Sequence, residues 1–140
     1  MLSIVEKVIL LQNIDVFSEV PTEQLASLAS IAEEVEYIKG DVIYKEHDPS
    51  DALYLVLEGK VKLHRGDQEI STAEKDDAFG TWALFDEEPR VVTATAAADC
   101  RLLRVDREDF IDLLADHVQI AQGVIKTVVK RLRNLVERVA

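Results

Sequence analysis

The spacing of hydrophobic residues changes twice along this chain of 140 residues, and the two changes divide it into three segments. Residues 1–36 repeat their apolar positions at the 3.6-residue spacing of amphipathic helices. Residues 37–105 shorten this repeat to the alternation that is typical of strands, and residues 106–140 return to helical spacing. We therefore predict one domain over residues 1–140, in which a β segment is framed by helices on both sides.

Two helices are predicted before the strands. The first has apolar residues along one face, namely Met1, Val5, Val8 and Leu11. Glu6 and Lys7 interrupt this apolar stretch, so it does not indicate a secretory signal. The second helix has its apolar face at Leu25, Leu28, Ala29 and Ala32. Thr22 is predicted as the N-cap of this second helix.

The middle segment predicts a β-barrel over residues 37–105. Val61 and Leu63 alternate with polar residues, and Arg65-Gly66-Asp67 supplies a turn after them. Asp106 is predicted as the N-cap of the helix that follows. The predicted fold is mainly β with flanking helices: an antiparallel double-stranded β-helix, or jelly-roll, barrel with N-terminal helices and a long C-terminal helix.

Charge and composition narrow the choice of partners. The net charge is −11, but residues 118–140 carry five basic side chains against Glu137 alone, so this tail is +4 and the rest of the chain is −15. The basic tail is either a solvated helix face or a face that docks on an acidic surface. Nucleic acid is not expected as a partner of this chain alone, because phosphates repel an acidic body. The sequence predicts no membrane span, and the single Cys100 suits a reducing cytoplasm.

The last helix carries an apolar seam whose members are spaced alternately three and four residues apart. They are Val118, Ala121, Ile125, Val128, Leu132, Leu135 and Val139. This 3.5-residue repeat favours a partner helix, and we predict a homodimer through Val118, Ile125, Val128, Leu132 and Leu135. The alternative is that the stripe packs on its own barrel, because Ile120, Val124, Val129 and Val136 widen the apolar surface.

Residues 79–93 hold the most informative motif, which runs from Phe79-Gly80-Thr81-Trp82-Ala83-Leu84 to Pro89-Arg90-Val91-Val92-Thr93. A glycine allows the backbone to approach a ligand closely, and a short helical turn after it directs N–H groups at an anion. An arginine adds a planar, permanently charged fork for a phosphate. These parts together indicate a site for a phosphate-bearing ligand.

This motif resembles the phosphate-binding cassette of the cyclic nucleotide-binding domain family, of the type found in catabolite activator protein and in the regulatory subunit of protein kinase A. The segments 37–44 and 51–61 resemble the first barrel strands of the same family, so the resemblance covers nearly the whole chain. It implies a regulatory ligand-sensing domain that signals through its C-terminal helix, which the family often pairs between two copies. It also implies a ligand-binding set of Gly80, Thr81, Trp82, Ala83, Arg90 and Val91.

The cassette is degenerate at one position. Thr81 stands where the family has a glutamate that binds the ribose 2′-hydroxyl, so the resemblance implies that cyclic AMP or cyclic GMP binds weakly. Arg90 binds either a phosphate or the neighbouring carboxylates Asp86, Glu87 and Glu88. Trp82 either stacks on a base or fills the core. His47 and Asp76 stand where the family has glycines at turns, and both are expected in left-handed backbone conformations.

Three functions of different classes follow from these observations. The first is a cyclic nucleotide sensor, and the second is a ligand-free dimerisation or interaction module of the same fold. The third is a cupin-like metal enzyme, which is disfavoured because the histidines His47, His64 and His117 are far apart in sequence. We therefore predict no catalytic residue, no metal site and no required cofactor. The effector that the domain regulates is not indicated by the sequence.

Overall fold

The computed structural model of the protein describes residues 1–139, with side chains described as far as residue 137. Residues 1–139 contain four α-helices: α1 (Ile4–Gln12), α2 (Thr22–Ile31), α3 (Arg107–Asp116) and α4 (Val118–Val139). Eight strands lie between α2 and α3: β1 (Ala32–Tyr37), β2 (Val42–Tyr44), β3 (Ala52–Glu58), β4 (Val61–Arg65), β5 (Gln68–Ala73), β6 (Ala78–Phe79), β7 (Thr93–Ala96) and β8 (Cys100–Asp106). Short 3-10 helices occupy Asp15–Phe17 and Thr81–Leu84.

The chain folds into two compact units. Residues 32–110 form the β unit, and residues 1–31 together with the chain from Ile111 onward form the helical unit. The prediction of a single domain over residues 1–140 stays a prediction. Its boundary at residue 37 is wrong, because the first strand already begins at Ala32. β1 pairs over six residues with β8, and this long-range ladder overrides the local helical spacing that had placed Ala32 on a helix.

The β unit confirms the predicted fold class. Its strands form two four-stranded antiparallel sheets, in the orders β1-β8-β3-β6 and β2-β7-β4-β5. Buried side chains from both sheets meet in one core, which includes Tyr44, Tyr54, Val61, Ala94 and Leu102. The predicted turn at Gly66 joins β4 to β5, and His47 and Asp76 both have φ of 74°, as expected for left-handed turn positions.

Capping explains where several helices begin. The carboxylate of Asp106 accepts hydrogen bonds from the N–H groups of Glu108 and Asp109, at 2.9 and 3.2 Å, so its prediction as the N-cap of α3 is confirmed. Thr22 was predicted as the N-cap of α2 but is its first helical residue. The carbonyl of Pro21 accepts from Leu25 N–H at 3.1 Å, which places the cap one residue earlier.

The helical unit buries only part of the apolar face predicted for α1. Leu11 is buried, but Met1 and Val5 are exposed, so the assigned apolar face is only partly correct. The missing apolar contribution comes from the segment after α1, where Ile14, Val16, Phe17 and Val20 are buried. A capping box between Ser3 and Glu6 begins the helix and fixes its first turn.

α4 packs closely against the 3-10 segment of the helical unit. A Cβ atom on Gly123 would lie 2.8 Å from Val20 Cα, so only glycine permits this approach. Lys126 and Lys130 contact the carboxylate of Glu19, and Arg131 contacts that of Asp15. Three basic side chains of the tail therefore meet carboxylates of the same unit, which favours the docking interpretation over a fully solvated basic face. Among residues 1–139, no helix combines the length and apolarity that crossing a membrane requires.

Candidate functional site

The predicted anion cassette lies at the end of β6. Gly80 has φ of 67° and ψ of 24°, a left-handed conformation that turns the chain into the 3-10 helix Thr81–Leu84. Ala83 and Leu84 point into the protein and anchor this turn. The N–H of Ala83, a member of the predicted ligand-binding set, donates to the Gly80 carbonyl at 3.1 Å.

Arg90, the basic residue of the cassette, is buried. Only 5% of the residue is exposed. Its Nη2 donates to the carbonyl of Ala52 at 2.7 Å and to the carboxylate of Asp51 at 3.3 Å. Its Nη1 lies 3.4 Å from the carbonyl of Gly80. The remaining nitrogen, Nε, is enclosed and has no hydrogen-bond partner within the described part of the chain.

The backbone of Arg90 is fixed by the turn that follows β2. Arg90 N–H donates to the carbonyl of Asp48, and the carbonyl of Arg90 accepts from His47 N–H, each at 2.8 Å. His47, in its left-handed conformation, is therefore part of the turn that holds the backbone of Arg90 by hydrogen bonds. Gly80 makes room for the same arginine, because a Cβ atom at that position would lie 2.5 Å from Arg90 Nη1.

Aromatic rings form one wall around the arginine. The guanidinium carbon of Arg90 lies 3.9 Å from the ring centroid of Tyr44, which is a cation–π contact. Tyr44 in turn packs against Tyr54 and Phe79, with ring centroids 6.1 Å away in both cases. Burial raises the pKa of Tyr44, although the charge of Arg90 opposes this shift, so the ring remains a neutral phenol near physiological pH.

The carboxylate that pairs with Arg90 is Asp51, which the sequence analysis did not identify. Asp51 Oδ2 also lies 3.5 Å from Arg104 Nη2, so one carboxylate contacts two guanidinium groups. Arg104 has further contacts with Asp106 Oδ2 at 3.3 Å and with the hydroxyl of Tyr54 at 3.4 Å. Arg90 and Asp51 are 39 positions apart in sequence, and no local pattern indicates a pairing over this separation.

Asp86 and Glu87 of the cassette have other partners, and the carboxylate that pairs with Arg90 is that of Asp51, so the prediction that the cassette acids compete for Arg90 is wrong in its choice of carboxylate. Glu87 pairs with Arg107 at 3.4 Å. Asp86 accepts a hydrogen bond from the N–H of Glu88 at 3.1 Å, which holds the loop between them. Arg90 does form a structural ion pair, as one of the two interpretations expected, but its partner is Asp51.

The structure brings some predicted site residues together and separates others. Gly80 and Arg90 are in direct contact, and Ala83 is buried beside the same turn. Thr81 is half-buried and offers a short neutral hydroxyl. Trp82 is 74% exposed, so the suggestion that it fills the core is wrong. Val91 is exposed as well, and its carbonyl accepts a hydrogen bond from Arg65 Nε at 3.0 Å.

The histidines and the cysteine have separate local roles. His64 bridges the carbonyl of Gly66 and the hydroxyl of Thr95, with both distances at 2.8 Å, and His117 lies 3.0 Å from Gln24 Oε1. No group of three or more potential metal ligands is gathered among the described residues. Cys100 is buried, and burial raises the pKa of its thiol, as is expected for a small core residue rather than a nucleophile.

The predicted seam of α4 lies on the exposed face of that helix. Among residues 118–137 of α4, the buried ones are Ile120, Gly123 and Thr127, so the helix packs through a stripe beside the predicted seam. Val118, Ile125, Val128, Leu132 and Leu135 are all exposed. The seam therefore does not pack within the helical unit; the side chain of Val139 lies outside the described residues.

Comparison with known proteins identifies what this arrangement is similar to. The sequence model of the cyclic nucleotide-binding domain matches residues 34–117, which is more than half of the chain. A CRP-like cAMP-activated global transcriptional regulator from Mycobacterium tuberculosis (strain ATCC 25618 / H37Rv) is 28% identical over 130 residues, which cover 89% of this chain and 58% of that protein. The cAMP-dependent protein kinase regulatory subunit of Dictyostelium discoideum is 33% identical over 113 residues, covering 75% of this chain and 33% of that protein.

A solved structure agrees with these sequence relatives. The N-terminal domain of a transcriptional regulator from Streptomyces coelicolor A3(2) superposes with a TM-score of 0.83 and 32% identity, over 94% of this chain and 95% of that one. The chain spans between one third and three fifths of the length of the two curated relatives described above. The activities and partners of those longer proteins are therefore not carried over as findings.

Proposed function

Because the chain belongs to the cyclic nucleotide-binding domain family, we propose that its β unit is a regulatory sensor that binds a cyclic nucleotide or a related anion at Arg90. One observation carries the proposal: a guanidinium that is 95% buried leaves its Nε without a hydrogen-bond partner. A buried donor without an acceptor is costly, and an oxyanion beside Nε and Nη2 would remove that cost. The role is regulatory rather than catalytic, as in the relatives named above.

The proposed binding is weak for two reasons. Thr81 cannot supply the charged hydrogen bond to a ribose hydroxyl that the family glutamate provides, and such a bond contributes about 1.5–3 kcal/mol. Its absence corresponds to roughly ten- to a hundredfold in affinity. Asp51 also occupies Nη2 of Arg90, so an anion must compete with a carboxylate that is already present.

Calorimetric titration with cyclic AMP and cyclic GMP tests this proposal. Cyclic AMP is the first ligand to try, because the printed names of both curated relatives refer to it. We expect weak binding by the wild type, binding roughly ten- to a hundredfold tighter for Thr81→Glu, and no measurable binding for Arg90→Gln. Ser71→Glu adds the same charge to an exposed position of β5 and should leave the affinity unchanged.

The outcomes separate the parts of the proposal. If Thr81→Glu folds normally and binds no more tightly than the wild type, the ribose contact is assigned to the wrong residue. If neither the wild type nor Thr81→Glu binds either nucleotide, the sensor proposal fails. The alternative of a ligand-free interaction module would then remain, and it is favoured by the ion pair with Asp51 that already neutralises Arg90.

We further propose that the exposed seam of α4 pairs with a second copy of the chain. Leu132 and Leu135 are each 57% exposed, and Ile125 is 61% exposed, within a stripe that monomeric proteins seldom leave in water. A two-fold axis would bury the same stripe on both copies. Binding at Arg90 would then act by favouring one position of α4 over another, to the extent that the ligand binds the two arrangements with different affinity.

Sedimentation tests the pairing of α4. Leu132→Asp places a charge in the centre of the seam and should convert a dimer into a monomer. Asn134→Asp introduces the same charge at an exposed position of the same helix outside the seam and should leave the dimer intact. A wild type that is monomeric at high micromolar concentration would refute the pairing, and a dimer that survives Leu132→Asp would place the interface elsewhere.

A further inference from the structure

A basic residue lies at the edge of the exposed seam of α4. In a heptad lettered a to g, the seam residues Ile125, Val128 and Leu132 occupy positions a, d and a. Arg131 immediately precedes Leu132 and therefore occupies position g, which flanks the contact between two paired helices. Its side chain is 47% exposed. A second α4 packed on the seam would therefore lie next to the guanidinium of Arg131.

The α4 helix of a partner offers this arginine no carboxylate. Paired helices usually carry opposite charges at positions e and g, and these charges form salt bridges across the contact. Within residues 118–137, position g holds Val124 and Arg131, and position e holds Gln122, Val129 and Val136. The one acidic residue of this stretch, Glu137, falls at position f, on the outer side of paired helices. Neither a parallel nor an antiparallel pair of these helices can therefore neutralise Arg131 across the seam.

The opposite charge comes from the same chain. The carboxylate of Asp15 contacts Nη2 of Arg131. Asp15 begins the 3-10 helix Asp15–Phe17, and the close approach of Gly123 to Val20 holds α4 against the residues that follow this helix. The side chain of Asp15 is 69% exposed, so it lies at the open edge of this contact. The charge of Arg131 is thus balanced within each copy, whether or not a partner is present.

A second carboxylate contacts basic residues of α4 that lie farther from the seam. Glu19 contacts both Lys126 and Lys130. These lysines occupy positions b and f, which are on the outer side of paired helices. Of the two carboxylates, Asp15 therefore contacts the basic residue that is nearer to the seam. Glu19 provides a comparison within the same unit.

We propose that Asp15 is a specificity-determining residue of the pairing between two copies of this chain, because it supplies the negative charge that the seam of α4 lacks. This inference rests on the proposed pairing of α4. Without Asp15, each copy would bring an unpaired guanidinium to the contact, and two helices of the same positive sign would repel each other. With Asp15, a second copy arrives with this charge already balanced, so the chain can pair with itself although its last helix is basic.

Sedimentation equilibrium tests the proposal at two ionic strengths. At about 50 mM NaCl, Asp15→Asn should raise the Kd of the dimer by about two- to thirtyfold, because each dimer contains two copies of the altered ion pair. At about 500 mM NaCl, the ratio of the variant's Kd to that of the wild type should approach one, because salt screens the repulsion between the helices. A dimer weakened by lost packing would not recover in this way.

Three variants serve as controls. In the Arg131→Gln background, Asp15→Asn should change the Kd by less than about twofold, because the guanidinium that needs a counter-charge is gone. Glu19→Gln releases two lysines on the outer side of α4, and Asp112→Asn removes an exposed carboxylate of α3. Both substitutions lower the negative charge of the chain by the same amount as Asp15→Asn, and each should change the Kd by less than about twofold.

The results separate this inference from the pairing on which it rests. If the wild type is a dimer that Leu132→Asp dissociates, but Asp15→Asn has the same Kd as the wild type, the role of Asp15 is refuted and the pairing stands. A weakening by Asp15→Asn that is equally large at high salt, or in the Arg131→Gln background, also refutes it. A monomeric wild type, or a dimer that Leu132→Asp leaves intact, overturns the pairing through the seam and the role of Asp15 together.

Discussion

Replacing Gly80 by alanine should damage the anion site by two separable effects. The first is backbone strain, because Gly80 has φ of 67° and a left-handed conformation costs a non-glycine residue about 1–2 kcal/mol. The second is a collision, because the new Cβ atom would lie 2.5 Å from Arg90 Nη1. The guanidinium has to shift, although Ala52, Asp51 and the Tyr44 ring hold it where it is.

The expected magnitude follows from these contacts. Losing one of the hydrogen bonds of a charged group costs about 1.5–3 kcal/mol, so together with the backbone strain the total cost of Gly80→Ala should be about 2.5–5 kcal/mol. Gly66→Ala is the matched control: Gly66 has φ of 56°, and an added Cβ atom meets nothing within 4 Å. This control should therefore cost only about 1–2 kcal/mol.

Urea unfolding followed by circular dichroism measures both variants. A second control is the Arg90→Ala background, in which Gly80→Ala should cost only slightly more than Gly66→Ala, because the colliding side chain is gone and the nearest remaining atom is the Ala52 carbonyl oxygen, 3.3 Å from the added Cβ atom. Equal losses of stability for Gly80→Ala and Gly66→Ala in the wild-type background would refute the view that Gly80 is needed to make room for Arg90.

Three further outcomes are expected. Gly123→Ala should destabilise the helical unit by about 1–3 kcal/mol in urea unfolding, despite the better helix propensity of alanine, because the added carbon meets the backbone of Val20; an unchanged midpoint would contradict this packing. Lys130 donates a hydrogen bond to the carboxylate of Glu19 and thereby lowers the pKa of Glu19. The interaction therefore stabilises the fold fully above the ordinary carboxyl pKa, and this stabilisation is lost as the pH falls through the lowered pKa of Glu19. The stability difference between the wild type and Glu19→Gln should therefore be constant near neutrality and vanish in acid. Cys100 should resist thiol reagents until the β unit opens, and rapid labelling under native conditions would show that the thiol is not enclosed.

Local sequence signals predicted the parts of the fold that depend on neighbouring residues. The Asp106 cap and the turn at Gly66 depend on side chains within a few residues, and both are confirmed. The left-handed positions His47 and Asp76 are confirmed as well, but they were expected from the resemblance to the family, which has glycines there. The position of Arg90 next to Gly80 is also consistent with the short motif that contains both.

Contacts between segments that are distant in sequence could not be predicted from local patterns. Asp51 and Tyr44 reach Arg90 from other strands and turns, so the carboxylate nearest in sequence was assigned instead of the one nearest in space. Ala32 illustrates the same limit, since its local spacing fits a helix while pairing with Val105 places it in a strand. In each case, the interaction that determines the structure joins residues far apart in sequence, and no repeat of apolar or polar positions indicates that they meet.

The exposure of Trp82 has a practical consequence for work on this protein. It is the chain's one tryptophan, and it lies in the cassette turn, 74% exposed. Indole fluorescence shifts to shorter wavelength when water around the ring is replaced, so native emission reports directly on whatever covers this turn. The helical unit contains no such fluorophore. Ligand contact at the cassette can therefore be followed optically without a label.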